Sequence, residues 1–310
     1  MRPAVLVLLA LGAVAAGVQA QRGTFRGSVD LVTLSVTVTG PNGRYISNLE
    51  AGDFTILEDG KKQDISIFER AHSPLAVSLL IDSSGSMFRQ MTLAQRAASE
   101  FVARLRPGDV AEIVDFDRRV EVLQPFTNDR NALERAIQRV VARGSTSMFN
   151  AIYIALREHS VLAKPAGDEI RRDVIVVLSD GDDTSSLVTH DHLLDGAKRA
   201  QSVIYAIGLG IGDPRMRRGA TPPEYALRSL AHETGGRLFL PKSADALSGV
   251  YKEIADELAS QYVLGYVSNN VAARPGWRTL SVRTGRPELH ARSRSGYYAA
   301  SQRQSLTPPP

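Results

Sequence analysis

Between residues 75 and 260, short apolar runs alternate with segments whose apolar residues recur at helical spacing. The runs Leu75–Ile81 and Val174–Leu178 are almost wholly apolar, and Val174–Leu178 is also β-branched, as is typical of strands covered on both faces. The first run leads into a segment, Phe88–Leu105, that the same spacing predicts to be one helix. This alternation predicts an α/β fold whose core is a doubly wound, mostly parallel sheet.

Both flanks of this region have the two-residue period of half-buried strands instead. Before it, Asp59-Gly60 is a hairpin signal between two short predicted strands, Phe54–Leu57 and Ile65–Phe68. Each flank holds only about three short strands, too few to bury a core of its own. We therefore predict that the two flanks fold together as one small β-sandwich-like domain.

The predicted organisation has five parts. It comprises a signal peptide over 1–20, a β flank over 21–73, the α/β domain over 74–261, a second β flank over 262–300 that packs with 28–70, and a disordered tail over 301–310.

The first twenty residues are typical of a targeting segment. Arg2 provides a positive start, Ala4–Val18 is apolar, and Val18-Gln19-Ala20 offers small residues for cleavage after Ala20. The alternative is an uncleaved membrane anchor, since the apolar stretch is nearly long enough to span a bilayer. Cleavage predicts a secreted or periplasmic protein with no transmembrane segment after processing.

Composition excludes several classes of function. The chain has no cysteine, so disulfides, zinc-thiolate centres, iron–sulfur clusters and cysteine nucleophiles are excluded. The net charge of +4 is spread along the 310 residues rather than concentrated in a patch, so no nucleic-acid partner is expected. We find no Gly-x-Ser-x-Gly elbow and predict a protein that is not an enzyme.

The strand Leu75–Ile81 stops at Asp82, and two hydroxyls, those of Ser84 and Ser86, follow at two-residue spacing. In an extended loop alternate side chains point the same way, so these three oxygen donors can converge. Such a donor set suits a hard cation such as Mg²⁺. The alternative interpretation is that they cap the next helix.

Two further segments point to the same place. The strand Val174–Leu178 ends in Ser179-Asp180-Gly181, and ligands of open α/β sheets bind beyond the carboxyl ends of strands where the strand order reverses. The Gly-led loop Gly144-Ser145-Thr146 opens a predicted helix and can bring the Thr146 hydroxyl to the same edge.

Together, Asp82-Ser83-Ser84-Gly85-Ser86, Thr146 and Ser179-Asp180-Gly181 resemble the metal-ion-dependent adhesion site of the von Willebrand factor type A domain, with its three parts in the family's order. The flanks resemble a secreted bacterial subfamily, often met in Acidobacteria, on the basis of Asp53-Phe54, Glu58-Asp59-Gly60 and the Tyr-x-Leu-Gly-Tyr pattern at Tyr262 to Tyr266.

The resemblance implies a Mg²⁺ site, with Mn²⁺ or Ca²⁺ able to substitute, held by Ser84, Ser86 and Thr146 through hydroxyls and by Asp82 and Asp180 largely through water. Neutral hydroxyl ligands leave the ion strongly electrophilic, so a partner protein is expected to supply an Asp or Glu carboxylate to it. The alternatives are a degenerate site kept for packing, an envelope component in which metal only stabilises the fold, and a Mg²⁺-dependent hydrolase. The oligomeric state is left open.

Other polar residues near these segments are expected to have structural roles and not to bind metal. His190 and His192 are two apart and do not share a helix face, so we expect a helix-start loop. Asp182 and Asp183 are expected to be solvated loop residues, and Asp115 and Asp117 to belong to a hairpin.

Overall fold

The computed structural model of the chain describes residues 31–70, 73–162, 170–210, 223–270 and 275–299. The predicted leader over 1–20 and the predicted tail over 301–310 lie outside these residues. None of the helices in the described ranges combines the length and apolar character that a membrane crossing requires.

The described strands and helices are named here in chain order. The strands are β1 (Leu31–Thr39), β2 (Phe54–Glu58), β3 (Lys61–Gln63), β4 (Ile65–Arg70), β5 (Leu75–Asp82), β6 (Val110–Phe116), β7 (Val120–Thr127), β8 (Arg172–Ser179), β9 (Val203–Gly208), β10 (Leu238–Phe239), β11 (Tyr262–Val267), β12 (Gly276–Thr284), β13 (His290–Arg292) and β14 (Gly296–Ala299). The helices are α1 (Met91–Val102), α2 (Arg130–Gln138), α3 (Met148–Val161), α4 (His190–Arg199), α5 (Pro223–Thr234) and α6 (Leu247–Ser260).

The central sheet has six strands in the order β10-β9-β8-β5-β6-β7. All neighbours are parallel except β6 and β7, which form an antiparallel edge. The order reverses between β5 and β8, because the chain proceeds from β5 to β6 on one side and from β8 to β9 on the other. The carboxyl ends of these two central strands, Asp82 and Ser179, therefore open onto the crevice where α/β sheets bind ligands.

Helices cover both faces of this sheet. One face of β5, including Val77, packs with α1, α2 and α6, and the other, including Leu80, packs with α3, α4 and α5. Every residue of β5 is buried, which explains its continuous apolar sequence. The predicted fold class, a doubly wound and mostly parallel α/β sheet with additional antiparallel sheets, is confirmed.

The other two sheets each contain strands from both flanks. Their orders are β13-β1-β11-β4 and β14-β12-β2-β3. One apolar cluster joins residues of both flanks, among them Val36, Ile56, Tyr262 and Val282. Neither flank has a complete sheet without strands of the other, so each depends on the other to satisfy its backbone hydrogen bonds.

The structure differs from the sequence-based expectation in three respects. Asp59-Gly60 turns β2 into β3, with positive φ at both residues, whereas β4 belongs to the other sheet. Strands β3 and β14 were not predicted, since they are short and carry few apolar residues. The single helix expected over Phe88–Leu105 is a 3-10 helix at Gly85–Arg89 followed by α1.

Buried charges join the α/β region to the flanking sheets. The Glu257 carboxylate in α6 is fully buried and accepts hydrogen bonds from Thr37 Oγ1 at 3.1 Å and Tyr205 Oη at 2.6 Å, and it pairs with the Arg292 guanidinium. At the amino end of β8, Arg172 donates to backbone carbonyl oxygens of Ser73 and Leu258. These contacts lie at or toward the amino ends of the central strands, opposite the edge that carries Asp82.

Candidate metal centre

The carboxylate of Asp82 lies fully buried at the end of β5. Its Oδ1 accepts a hydrogen bond from the Ser84 backbone N–H at 2.8 Å, and its Oδ2 accepts one from the Ser179 hydroxyl at the end of β8. The loop is also tied to the neighbouring strand, because Ser83 N–H donates to the Phe116 carbonyl at 2.9 Å. The carboxylate is therefore oriented from both central strands.

Three more predicted site residues continue from this point as a row of oxygen atoms. Ser84 Oγ and Ser86 Oγ are 3.0 Å apart, and Ser86 Oγ donates to Asp180 Oδ1 at 2.7 Å. Ser84 is buried and Ser86 is exposed, so the row runs from the interior of the sheet edge to solvent. Asp82, Ser84, Ser86 and Asp180, predicted from two separate segments, thus share one hydrogen-bonded site.

Thr146 lies on the adjoining loop. Gly85 N–H donates to the Gly144 carbonyl at 3.1 Å, which joins this loop directly to the serine loop. Gly144 has φ of +74°, and a side chain there would also press on Asp117, so glycine is required at this turn. The Thr146 carbonyl accepts from the backbone N–H of Thr184 and of Ser185, at 2.9 and 3.0 Å. The loop is held between the other two parts of the site.

The local electrostatics favour a cation. Burial raises the pKa of Asp82 to about 6, against the hydrogen bonds from Ser179 and Ser84, and the Asp180 charge raises it further. Burial likewise raises the pKa of Asp180, although its hydrogen bond from Ser86 lowers it. Two poorly solvated carboxylates beside hydroxyl oxygens form a hard, all-oxygen donor set, which fits Mg²⁺ and not a soft metal.

The site is not a conventional cluster of strong ligands. Across the described ranges, no three His, Cys, Asp or Glu side chains lie together in a way that would hold a metal ion. Here only two carboxylates are present, and hydroxyls provide the other side-chain donors. The residues fit an ion that keeps part of its water shell and is exposed on one side.

Asp183 differs from its expected role as a solvated loop residue. Its carboxylate accepts hydrogen bonds from Phe149 N–H at 2.7 Å, Ser186 N–H at 3.0 Å and Ser186 Oγ at 2.6 Å. It therefore ties the loop after β8 to the first turn of α3, next to Thr146. Asp182 is exposed, as expected.

The other polar residues near the site have structural roles. His190 begins α4, and its Nε2 lies 2.9 Å from Ser229 Oγ in α5. Asp117 forms an ion pair with Arg143 at 3.2 Å. Asp115 lies in the hairpin of β6 and β7, as expected, opposite Glu121, and it is buried with one carboxylate oxygen unpartnered. It is buried because β6 lies between β5 and β7 in the sheet.

A second buried polar cluster was not anticipated from the sequence. Ser78 Oγ, in the middle of β5, donates to Glu112 Oε1 and lies 2.9 Å from His159 Nε2. His159 Nδ1 is 3.6 Å from Asp173 Oδ1, too long for a hydrogen bond. The cluster has the residue types of a serine hydrolase triad, but Ser78, Glu112 and His159 are all buried and Ser78 lies in the core of the sheet. Only the helix register of His159 relative to β5 could have indicated it.

Known proteins similar to this chain agree with this architecture. A family model described as the von Willebrand factor type A domain matches residues 77–182. A UPF0353 protein of Mycobacterium avium is 26% identical over 248 residues, covering 73% of this chain and 71% of the relative. Another, of Mycolicibacterium paratuberculosis, is 28% identical over 67% of this chain and 66% of the relative.

A solved structure, the von Willebrand factor type A protein from Catenulispora acidiphila, superposes with a TM-score of 0.52 at 16% identity. The superposition covers 89% of this chain and 65% of that chain, slightly under two thirds. This likeness shows the fold. The segment over 77–182, which carries the serine loop and the end of β8 at the reversal of the sheet, thus matches the von Willebrand factor type A domain model.

Proposed function

We propose that the chain is an exported binding module that holds Mg²⁺ through Asp82, Ser84, Ser86, Thr146 and Asp180 and captures an acidic residue of a partner protein through that ion. Domains of this family are adhesion or protein-interaction modules. The observation that carries the proposal is the hydrogen-bonded row of oxygens from buried Asp82 to Asp180.

The donor set explains why the partner should be acidic. Ser84, Ser86 and Thr146 supply neutral oxygens, so the ion keeps most of its positive charge. Mg²⁺ retains water where the protein provides no ligand, and a carboxylate from outside can replace one such water. The exposed end of the row, at Ser86, is where that carboxylate has access.

Isothermal titration calorimetry with MgCl₂ tests the ion. The wild-type protein is expected to bind one Mg²⁺, whereas Ser84→Ala and Asp82→Ala are expected to lose the heat of binding. Ser281→Ala is the matched control, because Ser281 is an exposed residue of β12 in a different sheet. Equal binding by Ser84→Ala and the control would refute the site.

Metal removal separates the proposal from its main alternative. A pull-down from envelope extract, in Mg²⁺ and in EDTA, is expected to retain a partner only in Mg²⁺ while circular dichroism shows the fold intact in both. If EDTA lowers the melting temperature without changing the captured proteins, the metal is structural and the chain is an envelope component. Turnover of phosphate or peptide esters that Asp82→Ala abolishes would instead indicate a hydrolase.

Export is tested separately. N-terminal sequencing of the protein recovered from the producing bacterium is expected to begin at Gln21, after cleavage that follows Ala20. A mature protein that begins at Met1 and fractionates with membranes would show an uncleaved anchor.

A further inference from the structure

Large apolar side chains are exposed around the candidate metal centre. Eight such residues occur in the part of the chain that the structure describes, and four of them lie on segments that hydrogen bonds or ring contacts connect to the loops of the candidate site. These four form what we call the apolar rim: Phe88, Val141, Leu187 and Tyr225. Of the others, Leu31 and Val267 face each other across β1 and β11, so they shield one another in the flanking sheet.

Phe88 is attached directly to the serine loop. It lies two residues after Ser86 in the 3-10 helix Gly85–Arg89, where the fully buried Met87 anchors the turn and leaves Phe88 76% exposed. Arg89 follows it on the exposed side, and no ion pair involves Arg89 within the described ranges. An exposed apolar ring and an exposed cation with no ion pair in the described ranges thus follow Ser86 within three residues.

Leu187 lies on the loop after β8 and is 93% exposed. Its backbone N–H donates to Asn150 Oδ1 at 3.1 Å, and Asn150 N–H donates to Ser186 Oγ at 2.9 Å. Asn150 is in the first turn of α3, which starts two residues after Thr146. These hydrogen bonds fix the backbone on both sides of Leu187 next to the Thr146 loop. The leucine side chain itself remains almost fully solvated.

Tyr225 and Val141 extend the rim along the same edge. The Tyr225 ring contacts His190 with centroids 6.1 Å apart, and His190 contacts Phe149 of α3 at 5.9 Å. Val141 precedes the Gly144 turn, which is hydrogen-bonded to the serine loop. All four rim residues thus belong to segments connected to the candidate site, and several exposed large apolar side chains on such segments favour an interaction surface.

We propose that the apolar rim selects a partner segment in which the acidic residue is flanked by large apolar side chains. The inference rests on the proposed function, since the ion would bind the carboxylate. Arg89 complements the charge of an acidic segment, and Phe88 and Leu187 on different loops leave water when apolar neighbours of that acid pack on them. Such an arrangement gives specificity that a metal–carboxylate contact alone lacks.

The probes are two synthetic peptides with one central aspartate, one flanked by Leu and Phe and the other by Gly and Ser. Binding is measured by fluorescence anisotropy in Mg²⁺ and in EDTA. The apolar-flanked peptide is expected to bind at least about tenfold more tightly in Mg²⁺, the effect of burying one to two large side chains. Phe88→Ser and Leu187→Ser are each expected to remove most of that advantage and to leave the Gly/Ser peptide unaffected.

Val161→Ser is the matched control. Val161 is 71% exposed but ends α3 at the opposite end from Thr146. Circular dichroism melting of each variant checks that the fold is retained, as expected for exposed positions. If the two peptides bind with equal affinity, or if Val161→Ser loses as much affinity for the apolar-flanked peptide as the rim variants do, the proposed role of the apolar rim is refuted. The metal proposal would remain intact in either case. Absence of Mg²⁺-dependent binding to both peptides would overturn the proposed function and the rim together.

Discussion

Glu112 offers a quantitative test of the buried polar cluster. Its side chain is 1% exposed in the middle of β6, one carboxylate oxygen accepts from Ser78, and the other has no hydrogen-bond partner. Burial raises its pKa from 4.5 to about 7, with a further rise from the Glu158 charge and an opposing effect of the Ser78 hydrogen bond. The fold therefore holds this carboxyl more favourably when it is neutral.

The direction of the pH dependence follows from the linkage between proton binding and folding. Because the pKa is higher in the folded than in the unfolded chain, the contribution of Glu112 to stability is fully present below about pH 4.5 and is lost as the pH rises through about 7. Each pKa unit corresponds to about 1.4 kcal/mol, so ionisation removes about 3 kcal/mol by pH 8 and only about 1 kcal/mol at pH 5.

Glu112→Gln keeps the shape and an acceptor for Ser78 but cannot ionise. We expect the free energy of unfolding to rise by about 3 kcal/mol at pH 8 relative to wild type and by about 1 kcal/mol or less at pH 5. Urea unfolding followed by far-ultraviolet circular dichroism at several pH values measures this. Glu134→Gln, at an exposed position of α2, is the control and should show no comparable dependence. A stability difference that is constant between pH 5 and pH 8 would refute the reasoning.

Four other substitutions probe how the parts are held together. Glu257→Ala removes an acceptor shared by a guanidinium and buried hydroxyls, so chemical denaturation should show a loss of about 3–5 kcal/mol. Gly236→Ala should prevent folding, as judged by soluble yield, because its Cβ would lie 1.9 Å from the Ile204 carbonyl oxygen. Gly249→Ala, with open space inside α6, should raise the melting temperature instead. Thr234→Val leaves the buried Ile204 N–H without its acceptor at 3.0 Å, and calorimetric melting should show a loss of about 1–3 kcal/mol. A wild-type melting temperature for Gly236→Ala, or unchanged stability for Glu257→Ala or Thr234→Val, would contradict these contacts.

Much of the candidate site was predictable because its signals are local. Asp82, Ser84 and Ser86 are close in the chain, and an apolar strand ending in a polar loop fixes where they lie. Asp180 required a second step, the rule that parallel strands present their carboxyl ends at one edge, and its contact with Ser86 agrees with it. The bound ion itself stays a prediction, since its presence depends on more than the position of these oxygens.

The contacts made by individual polar residues were harder to predict from the sequence. Asp183 was expected to be solvated because aspartates in loops usually are, but the start of α3 lies close enough for it to accept from Phe149. The short strands β3 and β14 have too few residues to show a period, although each pairs with a strand of its own flank, β3 with β2 and β14 with β12.

The sequence by itself determined the alternation of strands and helices, the covered strands β5 and β8, and the carboxyl-edge position of Asp82 and Asp180, since periodicity and strand ends are properties of neighbouring residues. Tertiary structure decided which strands pair between the two flanks, that Glu112 and Glu257 are buried, and that Phe88 and Leu187 remain in water. Those outcomes depend on distant segments meeting, and the free energy of burying a charge or an apolar side chain is set by what surrounds it and not by its neighbours in the chain.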